Sequence, residues 1–169
     1  MTLYLIRHAK PAISEYKGFP GPSLGEEGQE QASMIAEYLK DKNIRQVLAS
    51  DYKRVKETMK PFLLLHPHLN VKEHIALRER EKEAESHDSL VNRVQDWFRV
   101  NQDMILQQNT AIFSHCGPIN MILDYLDPEK TIFKYPHEDV WGCHTPLGKI
   151  WAMEWTDTFV TGNLIEMIS

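Results

Sequence analysis

The residues of this 169-residue chain that are equipped for chemistry stand in three short clusters: Arg7-His8, the stretch from Ser50 to Arg54, and His115. Between them they hold two guanidinium groups and two imidazoles. An arginine fork matches phosphate oxygens in a bidentate way, and an imidazolium adds charge-assisted hydrogen bonds, so the set suits a dianion. A histidine with one neutral nitrogen facing phosphorus is also a nucleophile, able to split a hydrolysis into two easier displacements. Each residue alone has an ordinary reading: a surface loop for Arg7-His8, an exposed helix residue for Arg54, a hydrogen-bonded core imidazole for His115. Their chemistry depends on being brought to one place.

The surrounding pattern is of the kind that does this. Leu3 to Ile6 is a short apolar run that suits a buried strand ending at Arg7-His8, Val47 to Ala49 is a second strand, and Thr110 to Ser114 leads into His115. Ligands of open α/β sheets bind beyond the carboxyl ends of the strands, where all three clusters fall if these strands are neighbours. Helical spacing separates them. Ala32, Ile35, Ala36 and Leu39 form one apolar stripe in a helix from about Glu26, and Ile119, Ile122, Leu123 and Leu126 form another. Val55, Met59, Phe62 and Leu63 mark a helix for which Asp51 is the expected cap and which Pro61 is expected to bend or end early. Leu90, Val94, Trp97 and Phe98 mark one more. Residues from Lys149 to Glu154 and from Phe159 to Met167, around a Thr-Gly-Asn turn, read as a terminal hairpin. The alternation predicts an α/β three-layer sandwich, a mostly parallel central sheet with helices on both faces.

Bulk properties narrow the function. A single domain over residues 1–169 fits the length, and 42% hydrophobic with 25% charged residues is an ordinary globular composition. The formal net charge of -5 speaks against nucleic acid as a partner, which needs clustered Lys and Arg. No apolar stretch approaches a membrane span, and the N-terminal apolar run is too short for a signal peptide, so a soluble cytoplasmic protein with no membrane partner is expected. Cys116 and Cys143 form no CxxC pair and no dense framework, which suits a reducing compartment, although they are free to pair.

Taken in order, the motifs resemble those of the histidine phosphatase superfamily, the phosphoglycerate mutase-like proteins. Arg7-His8-Ala9 resembles the family's Arg-His-Gly after the first strand. Leu24, Gly28 and Gln31-Ala32 resemble its first helix start. Ala49-Ser50 through Arg54 to Thr58 resembles its Ser-x-x-x-Arg-x-x-x-Thr, and Leu77-Arg78-Glu79 its Leu-x-Glu. Glu85-Ser86 with Arg93-Val94 resembles its Glu-Ser helix, and Ser114-His115-Cys116-Gly117 its Ser-His-Gly-Gly. The resemblance implies a phosphomonoesterase in which His8 is phosphorylated, while Arg7, Arg54 and His115 hold the transferring phosphoryl group. It implies Glu79 as the acid, with Glu81 in reserve, and Ser14 and Cys116 as further substrate contacts. It implies no metal and no cofactor, since two arginines and an imidazolium supply the positive charge. The substrate expected is a small phosphorylated metabolite; a protein phosphohistidine phosphatase and a weakly catalytic phosphate-binding protein are the alternatives. Oligomeric state is not readable.

Three positions depart from the family pattern: Ala9 for Gly, Ser14 for Asn, and Gly25 for a helix-capping Thr. The segment between Glu79 and Glu85 is short and lacks the mutases' continuation, which favours water over a second acceptor. Other chemistries lose their main signals. A Cys-x5-Arg loop from Cys116 meets Ile122, a Gly-x-Ser-x-Gly elbow around Ser114 meets Ile112, and no Walker A loop is present. His66, His68 and His74, or His137 with Cys143 and His144, match no standard zinc spacing and read as surface histidines. Trp141, beside the Gly142 turn, reads as a pocket or a core residue.

Overall fold

The computed structural model describes residues 1–13, 18–81, 83–136, 142–156 and 159–165. Strand β1 is Thr2–Arg7, β2 Gln46–Ala49, β3 Val71–Glu73, β4 Thr110–Ser114, β5 Ile150–Thr156 and β6 Phe159–Ile165. They form one sheet in the order β3-β2-β4-β1-β5-β6. The β3, β2, β4 and β1 neighbours are parallel, and β5 and β6 complete the sheet as an antiparallel hairpin. Strand β4 therefore lies between β1 and β2, with Arg7 opposite Ser114 and Ala49 opposite Phe113. The three clusters of the sequence leave the sheet side by side from its carboxyl edge.

Strand alternation divides the core in two. Tyr4, Ile6, Val47, Ala49, Ala111 and Phe113 face helices α1, Glu26–Leu39, and α2, Lys53–Leu65. Leu3, Leu5, Leu48 and Ile112 face α3, His87–Leu106, and α4, Cys116–Leu126. Helix α1 begins where its stripe predicts, with Gly25 at the N-cap and no side-chain cap. Helix α3 is capped by Ser86, whose hydroxyl accepts from the Ser89 N–H. The expected hairpin forms, but Thr161-Gly162-Asn163 is not its turn: these residues lie within β6, paired with Glu154, Met153 and Ala152, and the strands connect between Thr156 and Phe159. Met167 lies outside the described residues.

One local expectation is narrowed and one fails. Pro61 does not end α2, which continues to Leu65, because Met59 and Phe62 on either side of it are locked into the core and hold the helix through the missing N–H. Asp51 does not cap α2. Its two carboxylate oxygens accept from Arg78 Nε at 2.7 Å and Nη2 at 2.5 Å, a bidentate pair that competes successfully with the cap role. Strand β3 and a short 3-10 turn at Ile75–Leu77, not anticipated from periodicity, carry the chain back toward the site. Among the described residues, no helix is long and apolar enough to cross a membrane.

Candidate active site

His8 continues β1 past its end, its backbone N–H donating to the Ser114 carbonyl at 3.0 Å. Its ring Nδ1 lies 2.9 Å from the Ala9 carbonyl, which can only accept, so Nδ1 carries the proton. Nε2 is then a lone pair, and Arg54 Nε donates to it at 3.1 Å. The same guanidinium donates from Nη2 to His115 Nδ1 at 3.0 Å, which leaves the His115 proton on Nε2, where it is donated to Ser50 Oγ at 2.8 Å. One buried arginine thus joins two buried imidazoles, whose ring centroids are 5.1 Å apart.

Burial is the main force that keeps both rings neutral. It lowers the His8 pKa well below the usual imidazole value, with Arg54 and then Arg7 adding repulsion and the Ala9 carbonyl opposing them. His115 is lowered in the same way by burial, then by His8, Arg54, Arg7 and Arg93. A neutral His8 with its lone pair toward Arg54 is the protonation state a nucleophile requires.

The frame around these groups is specific. Thr58 Oγ1 accepts from the Ala9 N–H at 2.9 Å and donates to the Arg54 carbonyl at 2.7 Å, tying the His8 loop to α2. Ala9 is fully buried here with an ordinary backbone, so the departure from Gly costs the loop nothing in φ. Gly21, at φ +81°, lets the chain pass over the site: a Cβ there would sit 2.6 Å from Arg54 Nη1. Arg7 donates from Nη1 to the Thr145 carbonyl at 2.8 Å and to Cys143 Sγ at 3.0 Å.

Glu79 reaches the site through a second set of ties. Ser114 Oγ donates to the Leu77 carbonyl at 2.7 Å, and Arg93 Nη1 donates to the carbonyls of Ala76 at 2.7 Å and Arg78 at 3.2 Å. Arg93 is itself held by both oxygens of Glu85. So placed, Glu79 accepts from the Gly117 N–H at 3.3 Å, at the N-terminus of α4 just past His115. A Cβ on Gly117 would overlap Glu79 Oε1, so glycine is what admits the carboxylate. Glu81, the reserve candidate, accepts from the Tyr52 hydroxyl at 2.9 Å instead.

Cys116 is part of a disulfide. Its sulfur is bonded to Cys143, 27 residues on, a pairing that the sequence left open. A thiol contact to substrate is therefore excluded in this state, and Cys116 retains its backbone position in the first turn of α4. Ser14, Trp141 and His137 lie outside the described residues. His144 is no surface histidine: it is buried and packed against the Tyr135 ring, 4.7 Å between centroids. No group of three or more potential metal ligands occurs among the described residues. Sequence reasoning missed Thr145, Cys143 and Tyr52, which touch the site through contacts that leave no local pattern.

Residues 3–83 match the family model of the histidine phosphatase superfamily (branch 1). Several solved structures share the fold over nearly the whole chain. The alpha-ribazole phosphatase from Shigella flexneri is 21% identical, with 98% of this chain and 96% of that chain covered and a TM-score of 0.76. A phosphoglycerate mutase from Bacillus anthracis is 18% identical, with 98% and 92% covered and a TM-score of 0.74. The putative phosphohistidine phosphatase SixA from Agrobacterium tumefaciens is 16% identical, with 99% and 97% covered and a TM-score of 0.67. None of the curated proteins matches. The family model thus covers residues 3–83, and the solved structures share the phosphoglycerate mutase-like architecture over nearly the whole chain.

Two predictions follow from this geometry. His8 and His115 are lowered from an unfolded value near 6.5, so the stability they contribute is fully present above about pH 6.5 and is lost as pH falls toward their folded values. In that window each adds up to about 1.4 kcal/mol per pH unit to the slope. Urea unfolding between pH 7.5 and 5.5 is expected to show this slope, and His115→Gln to flatten it; an equal slope in the variant would rule the histidine out as its source. The disulfide closes a loop of 27 residues, which corresponds to about 3.5 kcal/mol of unfolded-state entropy. Reductant is expected to lower the melting temperature of the unaltered protein by several degrees and to leave Cys143→Ser unmoved.

Proposed function

We propose, for a chain whose first half matches the histidine phosphatase superfamily, a phosphomonoesterase that works through phosphohistidine at His8 and acts on a small phosphorylated metabolite. The observation that carries this reading is the unprotonated Nε2 of His8, buried and held by Arg54 in direct reach of a second neutral imidazole. A phosphate dianion entering here exchanges these internal bonds for stronger charge-assisted ones from Arg54 and Arg7. His115 lends a further donor by taking up a proton beside the dianion.

The reaction balances in two displacements. The Nε2 lone pair of His8 forms a bond to phosphorus while the bond from phosphorus to the ester oxygen breaks, and Glu79 gives that oxygen its proton. Glu79, now a carboxylate, takes a proton from water as the water oxygen bonds to phosphorus. The phosphorus–nitrogen bond breaks, its electrons return to Nε2, and inorganic phosphate leaves. Arg54, Arg7 and His115 act through position and charge, which carry most of phosphoryl-transfer catalysis. Glu79 suits the acid role better than Glu81, because it stands against the helix that begins after His115, whereas Glu81 is engaged by Tyr52. A positioned acid matters for an alcohol leaving group, and its presence favours phosphomonoesters over phosphohistidine proteins as substrates.

The test is turnover of an aryl phosphate near pH 6 with a chelator present. Hydrolysis is expected to persist with the chelator and to fall at least about a thousandfold in His8→Ala. Glu79→Gln is expected to lose about a hundredfold or more on an alkyl phosphate and less on an aryl phosphate, whose oxygen needs less protonation. Phosphate binding without any turnover in the unaltered protein would replace the enzyme by a phosphate-binding protein.

A further inference from the structure

Aromatic rings continue outward from the catalytic pair in an unbroken series. The Tyr52 ring meets the His115 ring edge-on with centroids 5.0 Å apart, and Phe19 meets Tyr52 in the same way at 5.4 Å. Arg54 lies over Tyr52, with Cζ 4.6 Å from the centroid, and Arg78 lies over Phe19 at 4.2 Å. Tyr52 is buried, but Phe19 is 48% exposed, the one aromatic side chain among the large apolar residues left exposed in the described structure. Anchoring is strong for a surface ring. The Lys53 N–H donates to the Pro20 carbonyl at 2.8 Å, and Gly21 packs against both Arg54 and Tyr52. Arg78 is held flat by the two oxygens of Asp51.

The charges beside these rings decide what they suit. Arg78 is paired in bidentate fashion with Asp51, so it is poorly placed to receive a second anion. Glu81, on the Tyr52 hydroxyl, lies beside the same segment. An anionic leaving group, such as one bearing a carboxylate or a second phosphate, gains little there, because Asp51 already engages Arg78. An uncharged planar ring gains ring contacts on Phe19.

We infer that Phe19, with Tyr52 and Arg78 behind it, is the specificity-determining surface for the leaving group, and that it selects phosphomonoesters carrying an uncharged aromatic ring next to the ester. This rests on the phosphate site proposed above. It adds the substrate class that the phosphate machinery leaves open.

The test compares benzyl phosphate with cyclohexylmethyl phosphate, whose leaving alcohols are alike in size and acidity. The expected result is a kcat/KM ratio of about three to ten in favour of benzyl, falling to near one in Phe19→Leu. Binding of benzylphosphonate and cyclohexylmethylphosphonate, measured by calorimetry, gives the same comparison without turnover. Equal values for the ring and its saturated counterpart, or a preference that Phe19→Leu leaves intact, would overturn the inference. If the phosphonates show the Phe19-dependent preference but neither ester turns over, the surface stands and the catalytic proposal fails. If both esters turn over equally, the catalytic proposal stands and the surface fails.

Discussion

Everything at the site depends on one guanidinium held between two neutral imidazoles. Arg54 reaches His8 from α2, a helix separated from β2 by three residues, while His8 and His115 follow β1 and β4. The three meet because β4 is inserted between β1 and β2. Had the strands been ordered as in the chain, His115 would lie on the outer side of β2 and the cluster would open. Burial then fixes the protonation: rings removed from water beside a permanent cation remain neutral, so His8 needs no base to free its lone pair. A chain with a formal net charge of -5 thereby gathers positive charge at one place.

The supports of this arrangement run in opposite directions from it. On one side Thr58 joins the His8 loop to α2, and Gly21 lets the chain lie against Arg54. On the other, Arg93 gathers carbonyls of the segment before Glu79, and the disulfide from Cys116 holds the 142–145 segment that receives Arg7. Each is a contact distant in sequence that aligns a polar group which alone would adopt several rotamers. For the proposed function the rigidity is useful, because phosphoryl transfer gains chiefly from preorganised charge.

The parts of the fold with a periodic signal were legible in the sequence. The β4 bounds and the start of α1 agree with the run and the stripe that predict them, and the apolar stripe of α3 is buried as its spacing implies. His8, Arg54 and His115 were legible as candidates through their places after strands, and their convergence followed from strand order. What was not legible depended on a distant partner. Asp51 looks like a cap until Arg78 is beside it, Pro61 looks like a bend or a stop until Met59 and Phe62 are in the core, and the pairing of Cys116 stays open until Cys143 reaches it. The aromatic series beyond His115 joins residues 19, 52 and 78, whose spacing has no period at all.

The most direct test of the central claim is a rapid-quench experiment with labelled phosphomonoester, followed by mapping of the protein-bound phosphate. The account predicts a transient phosphoryl group that is labile to acid, stable to alkali and carried on the peptide containing His8, with greater accumulation in a variant lacking Glu79. Turnover without any such intermediate, or label found on another residue, would contradict it.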